Sequence, residues 1–275
     1  VFQVLLGDGP SVGEPLGRHM DVDMVSFTGS TETGRRFLHY AADSNLKKIV
    51  LECGGKNPAV VFDDAENLDQ VAKHVVTGAF WNAGQNCSAT SRLIVHSAVK
   101  DALLEKINAR LRDWKVGDPL DPNTHIGALI DAEHCAKVRS FLDDIGDGPF
   151  VSPVIFEVKA DDPRARDEIF GPVLCVMTVA SNDEAVQLAN NTDYGLAASI
   201  FSAGNRSAIR ASRDIKAGTV TINCYGEGNI TTPFGGYKKS GFGGRDNGLH
   251  AHDQYTETKT IWIDLNYPAD GDNIT

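Results

Sequence analysis

Positive charge is scarce in this chain. Lysine and arginine number 26 against 37 aspartates and glutamates, giving a formal net charge of -11, and no run of basic residues forms a stripe. A nucleic-acid backbone or an anionic membrane surface is therefore a poor partner, and neither is expected. Paired cysteines are also lacking. Cys53, Cys87, Cys135, Cys175 and Cys224 are widely spread and include no CxxC pair, which fits neither a zinc ribbon nor a disulfide framework in a chain of this size. A reducing cytoplasm is the expected compartment. No apolar run approaches the roughly 18 residues of a membrane span, and no charged-then-apolar leader opens the chain, so a soluble protein is expected. His250-Ala251-His252 has no third ligand at workable spacing, and no metal is expected. The generic GxGxxG fingerprint, internal repeats and low-complexity segments are absent too. An initiating methionine is missing as well: the chain opens on Val1-Phe2-Gln3-Val4-Leu5-Leu6-Gly7, which reads as the inside of a strand cut from something longer.

What is there is a globular composition, 41% hydrophobic over 275 residues, enough for one large domain or two modest ones. Apolar runs at 58–62, 92–96, 173–179, 197–201 and 218–222 have strand length and β-branched or aromatic enrichment, and 24–28 is a short strand-like run. Between them, Leu68, Val71, Ala72, Val75, Val76 and Ala79 recur at helical steps, as do Val99, Leu103, Ile107 and Leu111. Residues 184–190 and 205–214 are shorter helix candidates. Strand and helix alternate, which predicts an α/β fold with a mainly parallel sheet. Pro119 and Pro122 mark a surface loop, 225–248 a glycine-rich loop long enough to be functional, and 256–265 alternate like a strand.

Two residues offer complementary chemistry. Cys87, in Phe80-Trp81-Asn82-Ala83-Gly84-Gln85-Asn86-Cys87, can supply a thiolate that attacks carbonyl carbon. Glu52, in Leu51-Glu52-Cys53-Gly54-Gly55-Lys56-Asn57-Pro58, can supply a base that deprotonates the water removing the acyl group. A free thiol is only a few per cent ionised at neutral pH, so Cys87 needs an electropositive or helix-end setting that the sequence does not display. The bland readings are a small buried hydrophobe in a tight turn for Cys87 and an exposed turn carboxylate for Glu52. Gly29-Ser30-Thr31-Glu32-Thr33-Gly34 follows a strand-like run and opens a helix, where backbone amides suit a pyrophosphate. On residues alone, an ordinary serine-capped helix is the better reading there.

These segments resemble the aldehyde dehydrogenase superfamily along essentially the whole chain. Asp167-Glu168-Ile169-Phe170-Gly171-Pro172-Val173, Asn191-Thr192-Asp193-Tyr194-Gly195-Leu196-Ala197-Ala198, Pro233-Phe234-Gly235-Gly236-Tyr237-Lys238-Lys239-Ser240-Gly241 and the tail 255–260 appear in the family's order. The resemblance implies Cys87 as nucleophile and Glu52 as general base, with NAD, or NADP, as cofactor. It implies that Gly29, Ser30, Thr33 and Gly34 form the cofactor turn, that Glu168 holds the nicotinamide ribose and that Phe170 packs near the ring. His134 would occupy a further ribose-contacting position where many members carry glutamine. Otherwise Glu168 would be a loop charge, Phe170 a core aromatic and His134 a solvated helix residue.

The resemblance further implies a remnant of a Rossmann-like dinucleotide-binding domain at 1–51, a catalytic domain at 52–243, and a returning segment with an oligomerisation strand at 244–275. The first half of a normal subunit would then be missing, a homo-oligomer is expected, and the substrate would be a small aldehyde. Residues 220–241 and 244–251, with Thr260-Ile261-Trp262-Ile263, look most like enzymes acting on ω-amino or γ-glutamyl-aminobutyraldehydes, and Glu227 would suit a cationic substrate. Two other classes stay open: a non-catalytic folding or oligomerisation unit, and a cofactor-free cysteine esterase or thioesterase.

Overall fold

The computed structural model of the protein describes residues 2–142, 146 and 148–265. After a π-turn at Gly9–Gly13 and helix α1 (Glu14–Arg18), the chain runs through β1 (Met24–Thr28), α2 (Thr31–Ala42), β2 (Lys48–Glu52), β3 (Asn57–Val61) and α3 (Leu68–Phe80). It continues with β4 (Thr90–His96), α4 (Ser97–Leu111), α5 (Ala132–Arg139), β5 (Val154–Glu157), α6 (Pro163–Arg166), β6 (Val173–Val179) and α7 (Asn182–Asn190). β7 (Ala197–Phe201), α8 (Asn205–Asp214), β8 (Thr219–Ile222) and the two-residue β9 (Gly241–Phe242) complete it.

Six strands in the order β5-β6-β4-β3-β7-β8 form one sheet in which every neighbouring pair is parallel. The reason is visible in the burial. β3 and β7 are buried at every position, as strands covered on both faces must be. Ala59, Val61, Leu93 and Val95 project to one face and meet α3 and α4 through Val71, Val75, Leu103 and Ile107. Val60, Ile94, Met177 and Ile200 project to the other and meet Ala185, Ala189, Ala208 and Ala211 of α7 and α8. Each such aliphatic side chain removed from water contributes about 1.5–3 kcal/mol, so the alternation fixes the register of the sheet.

The small second sheet has β2 at its centre, parallel to β1 and antiparallel to β9. Helix α2 covers one face through Phe37 and Ala41, which pack on Ile49, Leu51 and Cys53. β9 comes from the long loop after β8. That loop folds back on itself through a pair of hydrogen bonds between Phe234 and Asp246, 2.6 and 2.7 Å, so its return limb runs past the end of β2.

Two strand-like segments find no ladder within the described residues. Residues 2–8 form no strand, and neither do 256–265. A strand is defined by its pairing, and among the described residues no neighbour supplies a ladder to either segment. Phe2, Leu6, Ile261 and Trp262 are 89, 90, 75 and 90% exposed accordingly. Helix α5 and strand β5 were not anticipated, because eight and four residues carry too little periodicity to stand out.

The start of β3 is fixed by the buried side chain of Asn57, at the first position of that strand. Its amide donates to the carbonyls of Cys87 (2.8 Å) and Ala89 (2.9 Å) and its oxygen accepts from Ala197 N (3.0 Å). At about 1 kcal/mol net per bond, plus the cost of stranding buried backbone groups, Asn57→Ala is expected to lower unfolding free energy by about 3 kcal/mol. Urea denaturation of the two proteins checks this, and a loss below about 1 kcal/mol would show that water replaces the amide.

Candidate active site

Helix α3 ends at the buried Phe80, and the chain then makes a tight turn in which Asn82 (φ 52°) and Ala83 (φ 56°) are left-handed and Gly84 (φ 69°) follows. Left-handed non-glycine residues cost on the order of 1 kcal/mol each and persist only where their surroundings hold them. Here Asn82 Nδ2 donates to Gln85 O (2.9 Å), and Ile130 N donates to Gln85 Oε1 (3.0 Å). The strained turn delivers Cys87, which is partly buried, with its carbonyl held by Asn57.

Glu52 is the last residue of β2, paired with Gly241 of β9. It is no exposed turn carboxylate: the residue is only 6% exposed, and its Oε2 has no hydrogen-bond partner. Burial, with the Asp246 carboxylate adding and the Arg245 guanidinium opposing, pushes its carboxyl up to about 7. A side chain at Gly235 would sit 2.9 Å from Glu52 Oε1, so the long loop approaches the carboxylate closely without obstructing it.

Between Glu52 and β3 lies Gly54-Gly55. A Cβ at Gly54 would coincide with the Glu168 carboxylate, and one at Gly55 would press on the Cys87 carbonyl, so only glycine lets these groups converge. Glu168 Oε1 accepts from Gly55 N at 3.0 Å. Burial raises the Glu168 carboxyl, opposed by that N–H and by Lys137, Lys56 and His134. Phe170 is itself left-handed at φ 59°, a strained conformation for an aromatic. Its carbonyl lies 2.7 Å from His134 Nε2, and its ring meets the imidazole edge-on at 5.8 Å. His134 is therefore tied to Phe170 rather than solvated on its helix.

The turn before α2 joins the same region, because Gly29 N donates to Glu52 O at 3.0 Å. Ser30 caps α2: its Oγ accepts from Thr33 N (3.1 Å) and donates to Thr33 Oγ1 (3.0 Å). Gly34 lets the helix seat on β2, where a Cβ would stand 3.1 Å from Cys53 Sγ. The first turn of any helix has N–H groups without intrahelical acceptors, so the capping and anion-binding readings of this turn coexist.

The electrostatics of Cys87 run against the simple expectation. Burial pushes its thiol up to about 11, and the carboxylates of Glu227, Glu168 and Glu52 add to this, while the Ser88 N–H opposes. No electropositive setting appears. Cys53, next to Glu52, is buried in the α2 interface and likewise pushed up to about 11 by burial, which marks it as a packing thiol. Among the described residues no group of three or more His, Cys, Asp or Glu could hold a metal ion, and no helix is long and apolar enough to cross a membrane.

Asn57, Arg245 and Asp246 had been given no role from sequence. Gly54-Gly55 before Asn57 was a signal of close approach, but nothing near Glu52 in the chain pointed to a pair almost two hundred residues downstream.

A model described as the aldehyde dehydrogenase family matches residues 1–261. The chain is 59% identical to an aminoacetaldehyde dehydrogenase of Pseudomonas aeruginosa over 96% of its own length and 56% of the relative's. It is 42% identical to the NADP/NAD-dependent aldehyde dehydrogenase PuuC of Escherichia coli, over the same shares. The crystal structure of the aldehyde dehydrogenase KauB from Pseudomonas aeruginosa superposes with a TM-score of 0.92 at 41% identity, covering 95% of this chain and 56% of that one. The chain thus spans about half the length of the curated relatives it matches.

A stability prediction follows from Glu52. Between pH 4.5, the ordinary value for the group, and about 7, the unfolded chain has released a proton that the folded chain retains. Stability therefore falls as pH rises through that window, by up to about 3 kcal/mol at pH 8. Glu52→Gln is expected to raise the melting temperature at pH 8 and to change it little at pH 4.5. Equal effects at both would contradict a carboxyl titrating near 7.

Proposed function

The chain belongs to the aldehyde dehydrogenase family, and from that membership we propose that it serves the NAD(P)-dependent oxidation of an aldehyde, an aminoaldehyde being the favoured class, to a carboxylic acid. The observation that carries this reading is the convergence of three groups on one glycine turn: the Cys87 loop, the buried Glu52 and the Glu168 carboxylate. The names of the relatives support the cofactor and the substrate class, since one is an NADP/NAD-dependent enzyme and another acts on aminoacetaldehyde.

In this reading the ionised Cys87 Sγ attacks the carbonyl carbon and its backbone N–H steadies the oxyanion. A bound nicotinamide would accept the hydride that leaves that carbon, so that a thioester remains on Cys87. Glu52 then takes a proton from water, the hydroxide attacks the thioester carbonyl, and the carboxylic acid leaves with the thiolate regenerated. A base with a value near 7 is matched to that step, because it is half ionised at the pH where it works.

The cofactor fits the residues present. The N-terminus of α2, twelve residues long and opening at Thr31, offers amides to a pyrophosphate. Glu168 keeps one oxygen for a ribose hydroxyl beyond the one used by Gly55. Phe170, braced by His134, offers a ring face. On the same reading residues 1–51 form part of a dinucleotide-binding domain, 52–243 the catalytic domain, and 244–275 a returning segment with a strand for a homo-oligomer. Residues 266–275 of that segment lie outside the described residues, and the 90% exposed Trp262 supports a covering neighbour.

The test is NAD binding by calorimetry followed by aldehyde-dependent NADH absorbance. Cys87→Ser is expected to retain binding and lose turnover. Glu52→Gln is expected to slow product release by about a hundredfold or more, with an acyl-enzyme visible by mass spectrometry. Turnover by Cys87→Ser, or a Glu52→Gln enzyme that accumulates nothing and keeps its rate, would sink the assignment.

A further inference from the structure

Asn86 and Ser88, on either side of the nucleophile, share one acceptor. Ser88 Oγ donates to Glu227 Oε1, and Asn86 Nδ2 donates to the same oxygen at 3.2 Å while also reaching Ser88 Oγ (3.0 Å) and the Tyr225 hydroxyl (3.4 Å). Ser88 is only 2% exposed, whereas Glu227 is exposed. The carboxylate is thus anchored from the protein side by Oε1, on an exposed residue, and no described hydrogen bond engages its other oxygen. Among the described residues no lysine, arginine or histidine forms an ion pair with it.

An uncompensated negative charge beside a thiol that must ionise is a handicap for attack on a neutral aldehyde. It becomes an asset if the substrate brings a cation. We propose that Glu227 is a specificity-determining residue whose free oxygen receives the ammonium of a short aminoaldehyde while the carbonyl of the same molecule is presented to Cys87. The inference rests on the aldehyde reading above. Because Glu227 is bonded to Ser88, the neighbour of Cys87, the ammonium and the carbonyl must be only a few carbons apart. A bound ammonium also cancels the Glu227 charge that helps to hold the Cys87 thiol up.

The test uses the 275-residue chain without cofactor or turnover. Cys87 is alkylated with cationic 2-bromoethylammonium and with neutral iodoacetamide, and the Cys87 peptide is followed by mass spectrometry so that the exposed Cys224 does not confuse the reading. Loss of the Glu227 charge changes thiol ionisation equally for both reagents, so their ratio isolates the attraction of the cation. In Glu227→Gln, which keeps an acceptor for Ser88, the ratio of cationic to neutral rates is expected to fall about tenfold, a change of about 1.4 kcal/mol. Glu227→Asp, which keeps the charge, should retain most of the preference. An unchanged ratio in Glu227→Gln overturns the proposal, including the case in which both rates drop together, as a purely structural role would produce. Failure of the aldehyde reading would register separately, as a fallen ratio in a chain that forms no NADH.

Discussion

The site depends on the Asn57 amide. One side chain, 4% exposed, ties the start of the central strand to the Cys87 loop and to the neighbouring strand β7 at the same time. Parallel strands leave their first backbone groups unpaired at the ends of the ladder, and a buried orphan carbonyl costs about as much as a lost hydrogen bond. The Cys87 and Ala89 carbonyls would be such orphans. Satisfying them from one rigid planar group makes the position of the thiol a property of the sheet rather than of a loop, as the proposed covalent chemistry requires.

Behind this joint the interior carries cations as well as carboxylates. Lys56 and Arg92 are each 1% exposed. Arg92 is satisfied by the carbonyls of Lys56, Leu188 and Ala189, closing the C-terminal end of α7, where a cation is favoured. Lys56 Nζ has no partner, and burial pulls it down to about 8. Its charge, still largely present at neutral pH, works against the burial of Glu168. The acidic groups at the front of the site are therefore partly supported by basic groups at its back.

The layers were legible from sequence because their signal is local. The runs 58–62, 92–96, 173–179 and 197–201 are continuous and apolar since both faces are covered, and the helical steps of α3 and α4 match the residues that are buried. The motifs around Cys87, Glu52, Ser30, Glu168 and Phe170, spread along the sequence, are brought together in space. What the sequence could not convey was set by distant contacts. Glu52 looked exposed beside two glycines, yet a loop returning from residue 246 covers it. His134 looked like a helix surface until its partner, a strained carbonyl 36 positions away, was in view. Residues 2–8 and 256–265 have strand patterns without strands, because a pattern specifies only which side chains would alternate and a ladder requires a second strand.

On the proposed reading the two reacting groups are held in opposite readiness. With Glu52 near 7, about half of the carboxylates are ionised at neutral pH; with Cys87 near 11, about one thiol in ten thousand is. A site so arranged can deprotonate water while idle but can scarcely attack, so an uncharged electrophile arriving alone meets an unreactive sulfur. Burial is the largest cause of the thiol's reluctance, and the carboxylates of Glu227, Glu168 and Glu52 add to it. Because Coulomb effects grow as water is displaced, a positive group close to Glu227 or Glu168 would act on Cys87 most strongly in the closed, occupied site. On the proposed reading, neutralising those carboxylates is the charge contribution that an occupied site makes to ionising Cys87, while the contribution of burial stays in place.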